Sequence, residues 1–165
     1  MLMDVDEFYY ADEFKKAKEF VYEKNITHSV CSIYDYRISP IYRMRDARDY
    51  CVPFIFKLTK LSKVRAISNL PCRVDSFRTF FPYIPFIHKF YYLNMVSMRH
   101  MTGIRKNYEN KLQASISNYS DEGRKAVCEY RKLQYSLENM SEDEILENGY
   151  IKVKDDFRIL EEWKK

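Results

Sequence analysis

The sequence predicts a mainly α fold with one or two short β-strands, built as a single compact domain of about six to seven helices. Two observations support this prediction. The 165 residues include only three glycines and five prolines, fewer turn-forming residues than all-β folds use. Over most of the chain, apolar side chains recur three or four positions apart, as they do on the buried face of a helix.

The first predicted elements are a helix and a strand. A capping-box spacing begins at Asp4, and apolar residues then recur between lysines, which predicts a helix over residues 4–23. Residues 26–38 are rich in β-branched and aromatic side chains at alternating positions, so we expect a strand there. Charges of both signs over 41–50 and apolar spacing of three and four over 53–64 predict two further helices.

Residues 86–101 form the most apolar segment of the chain. Apolar side chains would cover nearly all faces of a helix here, which is typical of a central helix, and Gly103 follows where such a helix would end. Apolar residues four apart predict another helix over 104–116, and a longer one begins at Ser120.

The last elements are predicted from their capping residues. Ser141 and Glu144 have the spacing of a capping box, and Gly149 stands where that short helix would end. Residues 150–154 alternate in polarity and predict a small edge strand, after which Asp155 can cap a final helix.

Charge is distributed unevenly along the chain. Residues 57–111 contain eleven lysines and arginines against two acids, whereas both flanks carry a small excess of acids. The same central segment is crowded with aromatic rings. Basic charge interleaved with rings suits a polyanion whose faces can stack, and that is usually nucleic acid.

The candidate nucleic-acid-binding residues are the cations and rings of this centre, together with four arginines that precede it. An arginine holds two phosphate oxygens at once, and a ring stacks on an exposed base. Two alternatives stay open, because rings at helical spacing are ordinarily buried and the preceding arginines can pair with nearby aspartates. The predicted site residues are Arg37, Arg43, Arg45, Arg48, Lys57, Lys60, Lys63, Arg65, Arg73, Arg78, Phe80, Phe81, Tyr83, Tyr91, Arg99, Arg105 and Lys106.

These residues predict a non-enzymatic factor that associates with RNA or a ribonucleoprotein, with the ribosome favoured, and acts by occupancy. A net charge of +4 with acidic ends is typical of a factor that touches RNA on one face only. One alternative is a helical adaptor or inhibitor, viral or parasitic, that binds an acidic protein through the same lysines. A third is a small enzyme, in which His88 or His100 would meet a buried carboxylate.

The sequence contains no glycine-rich phosphate loop and no C-x-x-C pair, so we predict no cofactor, no metal and no catalytic site. We expect Cys31, Cys51, Cys72 and Cys128 to be buried thiols in a reducing compartment, while a zinc site made from the first three and a histidine stays open. The acidic amino terminus, and the lack of an uncharged run of about 20 residues, predict a cytoplasmic protein that makes no membrane contact.

Overall fold

The fold is that of a computed structural model, and strands dominate the residues that it describes. These residues are 6–58, 60, 63–64, 70–75, 80–81, 84, 86–104, 121, 125, 128–129, 132, 136, 139–155 and 157. Their elements are β1 (Glu7–Phe8), α1 (Ala11–Glu23), β2 (His28–Arg37), β3 (Tyr42–Met44), β4 (Val52–Phe56), β5 (Lys63–Val64), β6 (Phe80–Phe81), β7 (Phe90–Gly103), α2 (Glu142–Glu147) and β8 (Tyr150–Lys152). The prediction of a mainly α protein is therefore wrong, and so is the description of the protein as helical.

Six of these strands belong to one mixed sheet. Its order is β1-β7-β2-β3-β8, with β4 paired to β2 off this path. β2 pairs antiparallel with β3, through Tyr36 opposite Arg43, and antiparallel with β4, through Val30 opposite Pro53. β5 and β6 form a separate antiparallel pair.

The chain divides into two compact units. Unit 1 contains Met1–Tyr34 and Ala47–Arg99, and unit 2 contains Asp35–Asp46 and His100–Lys165. The single domain expected from the sequence stays a prediction. Among the described helices, none is long and apolar enough to span a membrane.

The core of unit 1 joins α1 to three strands. Ala17 and Val21 of α1 are buried in one cluster with Ile33 of β2, Phe54 of β4 and Leu93 of β7. The apolar spacing that predicted α1 therefore does mark its buried face. Burial of this face, rather than helix propensity, supplies most of the stability of such a helix.

α1 begins later than its predicted start. The structure has β1 at Glu7–Phe8, and the N-cap of α1 is Tyr10, whose side chain makes no capping hydrogen bond. Asp12 and Glu13 lie in the first turn instead, where negative charge is favoured by the helix dipole. The box-like spacing therefore does not mark the start of α1.

Three predicted helices are strands. β3 lies within 41–50, β4 overlaps the beginning of 53–64, and β7 covers most of 86–101. In β7, Val96, Met98, Arg99 and Met101 are buried, so the second half of this strand is covered on both faces, whereas Tyr91, Tyr92 and Met95 in its first half are exposed. A continuous apolar run fits a buried strand as well as a buried helix, which is why periodicity failed here.

Pro53 was interpreted as the start of a helix but lies inside β4. The register of β4 against β2 shifts between His28 and Val30, and Pro53 is the partner of Val30. A proline, which has no N–H to donate, is tolerated in a sheet at such an irregularity. Pro53 therefore marks an irregularity in the hydrogen-bonding ladder rather than the start of a helix.

Unit 2 contains the short helix and the edge strand that were predicted here, whereas the final helix predicted after Asp155 lies almost wholly outside the described residues. The Ser141 side chain accepts from the Glu144 backbone, and the Glu144 carboxylate accepts from the Ser141 backbone, so the capping box is confirmed. Gly149 has a φ of 86° just beyond the helix, and β8 follows. β8 pairs antiparallel with β3 through Arg43 opposite Ile151. The predicted helix from residue 120 agrees with the helical conformation of residues 121, 125, 128–129, 132 and 136.

Candidate nucleic-acid interface

Arg99 is the predicted site residue with the most surprising position. Its guanidinium lies in unit 1 with only 10% of the side chain exposed and donates to both carboxylate oxygens of Glu13, at 2.5 and 2.8 Å. It also lies 3.9 Å from the centre of the Tyr10 ring. This arginine joins the first turn of α1 to β7 and does not face solvent.

Arg48 and Arg73 are also engaged within unit 1. Arg48 donates to the hydroxyl of Tyr50, and its guanidinium carbon lies 5.4 Å from that ring. Arg73 pairs with Asp49, and both side chains are about 70% exposed. Asp49 thus pairs with an arginine of the central segment, whereas the alternative considered from the sequence concerned the four arginines that precede that segment.

The remaining predicted arginines among the described residues belong to unit 2. Arg37 ends β2 and is half-buried, while Arg43 on β3 donates to the backbone oxygens of Met44 and Arg45 at 3.1 and 3.4 Å. Arg45 itself is exposed.

The predicted residues of the central segment divide into three groups. Lys57, Lys60 and Tyr91 are exposed, although the Tyr91 ring also contacts Phe20 at 5.2 Å between centroids. Lys63 lies opposite Phe81 in the β5–β6 pair, next to Phe80. The positions that lie outside the described residues are Arg65, Arg78, Tyr83, Arg105 and Lys106.

A different set of exposed side chains comes together in unit 1, where α1 ends, β4 ends and β7 begins. We call this set the lysine–aromatic surface. It consists of Lys18, Tyr22, Lys24, Lys57, Phe86 and Lys89. Only Lys57 among them was a predicted site residue.

Backbone hydrogen bonds hold the segments of the lysine–aromatic surface together. The Thr27 carbonyl accepts from the Lys57 N–H at 2.8 Å, and the Thr27 N–H donates to the Lys89 carbonyl at 3.0 Å. The Lys89 ammonium donates to the Lys24 carbonyl at 2.9 Å, close to the carboxyl end of α1. Three lysines from distant parts of the sequence therefore lie on one hydrogen-bonded framework.

Lys18 and Tyr22 extend this surface along α1. They are four residues apart, so they follow one another on the same side of the helix. Both line a cleft of about 630 Å³ together with Lys57. The cleft also contains the apolar side chains Val21, Ile26 and Ile55, the amide of Asn25, and one acid, Glu23. Its volume lies in the range of ordinary ligand sites.

Phe86 is presented by a tight turn with an unusual backbone. The Ile84 carbonyl accepts from the His88 N–H at 2.9 Å, and the Ile84 N–H donates to His88 Nδ1 at 2.8 Å. Phe86 has a φ of 73°, in the left-handed region that bulky residues rarely adopt, and its ring is fully exposed. Strain of this kind is most often retained at sites of function.

Contacts between two histidine rings attach that turn to the rest of unit 1. The His88 ring lies 4.8 Å from the ring of His28, which is buried and lies 4.9 Å from Phe56. The side chain of His28 also contacts the Thr27 hydroxyl at 3.1 Å. The turn that carries the exposed ring of Phe86 is therefore anchored by packed side chains.

Exposure separates the rings of this surface from ordinary core rings. The Tyr22 side chain is 87% exposed, and Phe86 is fully exposed, whereas Phe54 is completely buried. An exposed ring beside several ammonium groups can stack on a base while the lysines contact phosphates. The arrangement thus has the two components that a single nucleic-acid strand requires.

The lysine–aromatic surface was missed because its residues come from both the basic centre and the acidic flank. Lys18, Tyr22 and Lys24 belong to a flank whose net charge is negative, so the charge count pointed away from them. One signal was available: Phe20 and Tyr22 cannot both face the core of a helix whose buried residues are Ala17 and Val21. The exposure of Phe86 has no signal in the sequence.

His100 has a carboxylate partner in unit 2. Its Nδ1 lies 2.8 Å from the Asp35 carboxylate, and both side chains are about 85% or more buried. The sequence placed these residues 65 positions apart, and adjacent strands bring them together. A buried carboxylate of this kind orients the imidazole, so His100 has the partner that the small-enzyme alternative required, and that alternative stays a prediction. The pair also links two strands.

The cysteines differ from one another in burial. Cys31 is buried, Cys51 and Cys72 are half-buried, and Cys128 is exposed, so the expectation of four buried thiols is wrong. Burial raises the pKa of Cys31 to about 12. Within the described ranges, no group of three or more histidines, cysteines and acids could hold a metal ion.

No family model matches the chain, and no curated protein and no solved structure matches it either.

Proposed function

We propose that the protein binds single-stranded RNA through the lysine–aromatic surface and acts by occupancy, without catalysis. The observation that carries the proposal is the gathering of exposed lysines and an exposed ring in one part of unit 1. Three lysines lie on one hydrogen-bonded framework, and Lys18 and Tyr22 line the cleft together with Lys57. The ribosome stays a prediction of the sequence, because the features of this surface suit any RNA with unpaired bases.

The lysines supply the electrostatic part of the proposed binding. Each ammonium that contacts a phosphate releases a condensed counterion, so affinity falls as salt rises. Lys18 and Lys57 line the cleft, and Lys24 and Lys89 lie next to it. Glu23 is the acid in the cleft lining, and four cations outweigh it.

The two exposed rings supply the part of the proposed binding that depends on the RNA bases. Tyr22 stands at the cleft, where a base that leaves the stack can lie against its face. The turn fixes the backbone of Phe86, so little backbone freedom remains to be lost when its ring binds a base. The left-handed backbone of Phe86 costs stability, and an exposed function for the ring explains why the cost is retained.

Fluorescence anisotropy with labelled single-stranded RNA, measured over a range of salt concentrations, tests the proposal. We expect the double variant Lys18→Gln/Lys57→Gln to weaken binding and to reduce the slope of log affinity against log salt by about 1.4, near 0.7 for each lost contact. Tyr22→Ala should weaken binding about tenfold or more at every salt concentration, because a stacked base contributes about 1–3 kcal/mol.

The matched control is Lys125→Gln/Lys132→Gln, which removes the same charge from two exposed lysines elsewhere. It should change affinity by much less than the Lys18/Lys57 variant. Equal weakening by both double variants would mean that net charge alone drives binding and would contradict the proposed surface.

Exposed aliphatic side chains favour a second candidate, an acidic protein segment as the ligand. Leu58 is 61% exposed and Ile87 71% exposed, and both neighbour residues of the lysine–aromatic surface in the chain. Aliphatic anchors among lysines also suit a peptide with carboxylates and apolar residues. Recovery of partners from a cell extract after nuclease treatment distinguishes the two: proteins that stay bound without RNA favour this candidate.

A further inference from the structure

The segment around Cys72 runs alongside Cys51 in unit 1. The Cys51 N–H donates to the Arg73 carbonyl at 2.9 Å, and the Asp75 N–H donates to the Cys51 carbonyl at 2.9 Å. Cys51 and Val74 form a parallel β-bridge. Two bonds in this register fix the backbone of one cysteine against the residues that immediately follow the other.

An ion pair strengthens the same contact. Arg73 follows Cys72, and Asp49 precedes Cys51 by two residues, and their side chains pair across the two segments. Backbone and side-chain contacts therefore hold both cysteines in a defined relative position, although 20 residues separate them in the chain.

The thiols of Cys51 and Cys72 are neighbours. The side chains of Cys51 and Cys72 are within hydrogen-bonding distance of each other, and both cysteines are free and half-buried. Cys31, by contrast, is fully buried, and Cys128 is exposed. This is therefore a pair of thiols in contact that a small molecule in solution can reach.

We propose that Cys51 and Cys72 form an oxidisable dithiol site, which a low-molecular-weight disulfide such as glutathione disulfide converts into an intramolecular disulfide. The sulfur atoms need only close from hydrogen-bonding contact to a bond of about 2.05 Å, a shift that side-chain rotation and small backbone movement supply. The resulting crosslink ties the segment before β4 to the segment 72–75.

The reaction has two exchange steps. The Cys72 thiol loses its proton to water, and its thiolate attacks one sulfur of glutathione disulfide, so that a mixed disulfide forms and one glutathione leaves as thiolate. Cys51 then loses its proton and attacks the Cys72 sulfur, which releases the second glutathione. Two protein thiols are oxidised, and one glutathione disulfide is reduced to two glutathione molecules.

The order of attack follows from the surroundings of the two thiols. Burial, the neighbouring Cys72 thiol and the hydrogen bond to it together raise the pKa of Cys51 to about 12. Burial also raises the pKa of Cys72, but the same hydrogen bond lowers it, because the Cys51 S–H can donate to a Cys72 thiolate. Cys72 is therefore the attacking thiol and Cys51 the resolving one.

The test is incubation of the full-length protein in glutathione redox buffers, followed by alkylation of free thiols and mass spectrometry of unreduced peptides. We expect a peptide pair linked through Cys51 and Cys72, with Cys31 and Cys128 recovered as alkylated thiols. Because burial raises the pKa of both thiols above the ordinary cysteine value, both are protonated at neutral pH, and the rate of closure should rise about tenfold from pH 7 to pH 8.

Two serine variants test the roles separately, and Cys128→Ser is the control. Cys51→Ser should stop the reaction at a glutathione adduct on Cys72, whereas Cys72→Ser should leave Cys51 unmodified over the same time. Cys128→Ser should close the disulfide at the wild-type rate. The proposal is overturned if the wild-type protein accumulates the Cys72 adduct without closing, or if its crosslinks involve Cys128.

Discussion

Arg99 and Lys57 belong to the same basic segment of the sequence but occupy opposite surroundings in unit 1. Arg99 is 8% exposed, and its guanidinium holds both carboxylate oxygens of Glu13. Lys57 is exposed and lies with other lysines beside the ring of Tyr22. The positive charge of Arg99 thus links β7 to α1 within the fold, whereas that of Lys57 faces solvent.

The difference follows from the chemistry of the two cations. A planar guanidinium fits a carboxylate with two parallel hydrogen bonds and is more weakly hydrated than an ammonium, so it tolerates burial when paired. An ammonium on a flexible stem keeps its hydration and remains at the surface. A basic segment therefore identifies a binding surface only after its internally paired arginines have been set aside.

The largest expected effect is that of Arg99→Ala. Removing the guanidinium leaves the Glu13 carboxylate, itself only about a third exposed, without its partner, and we expect a loss of about 3 kcal/mol in the free energy of unfolding. Urea denaturation measures this loss. RNA affinity of the folded fraction should stay unchanged, and a selective loss of affinity at wild-type stability would contradict the assignment of Arg99 to the fold.

An effect of intermediate size and opposite sign is expected for Phe86→Gly. Glycine adopts a φ of 73° without steric cost, so the substitution should raise the free energy of unfolding by about 1 kcal/mol and weaken RNA binding. Thermal denaturation and anisotropy measure the two changes. Ile87→Gly is the control, and it should lower stability, since no positive φ is relieved there.

Arg73→Ala should have the smallest effect. Its pair with Asp49 is exposed on both sides, and such pairs contribute about 0–1 kcal/mol, so urea denaturation should detect little change. Arg73 was predicted to bind nucleic acid, and we expect its loss to change RNA affinity less than the loss of Lys57. If Arg73→Ala weakens binding as much as Lys57→Gln, the binding surface is wider than the lysine–aromatic surface.

Local signals in the sequence were sufficient for several elements. Residues 26–38 alternate in polarity and contain β2, and the Ser141–Glu144 box begins α2 as expected. The apolar spacing of α1 marks its buried face correctly. In each case, the pattern that identifies the element lies within a short stretch of the chain, so a short window contains the information.

The candidate site was harder to predict from the sequence than these elements were. Lys57 was identified because it belongs to a conspicuous run of lysines, but Lys18 and Lys24 stand in a flank with an excess of acids. The hydrogen bonds from Lys57 and Lys89 to residues 24 and 27 are what bring the two parts of the chain together. A count of charges along the sequence does not show which distant lysines become neighbours in the folded protein.

The amino-acid sequence by itself determined the position of β2, the buried face of α1, the capping of α2 and the excess of positive charge in the central segment. Tertiary structure decided that β4 and β7 are strands, because an apolar run satisfies helix and strand equally until neighbouring strands supply its hydrogen bonds. It also decided which cations are buried with carboxylates and which face solvent. That choice depends on partners such as Glu13, which lies 86 positions before Arg99 and becomes its neighbour only when the sheet has formed.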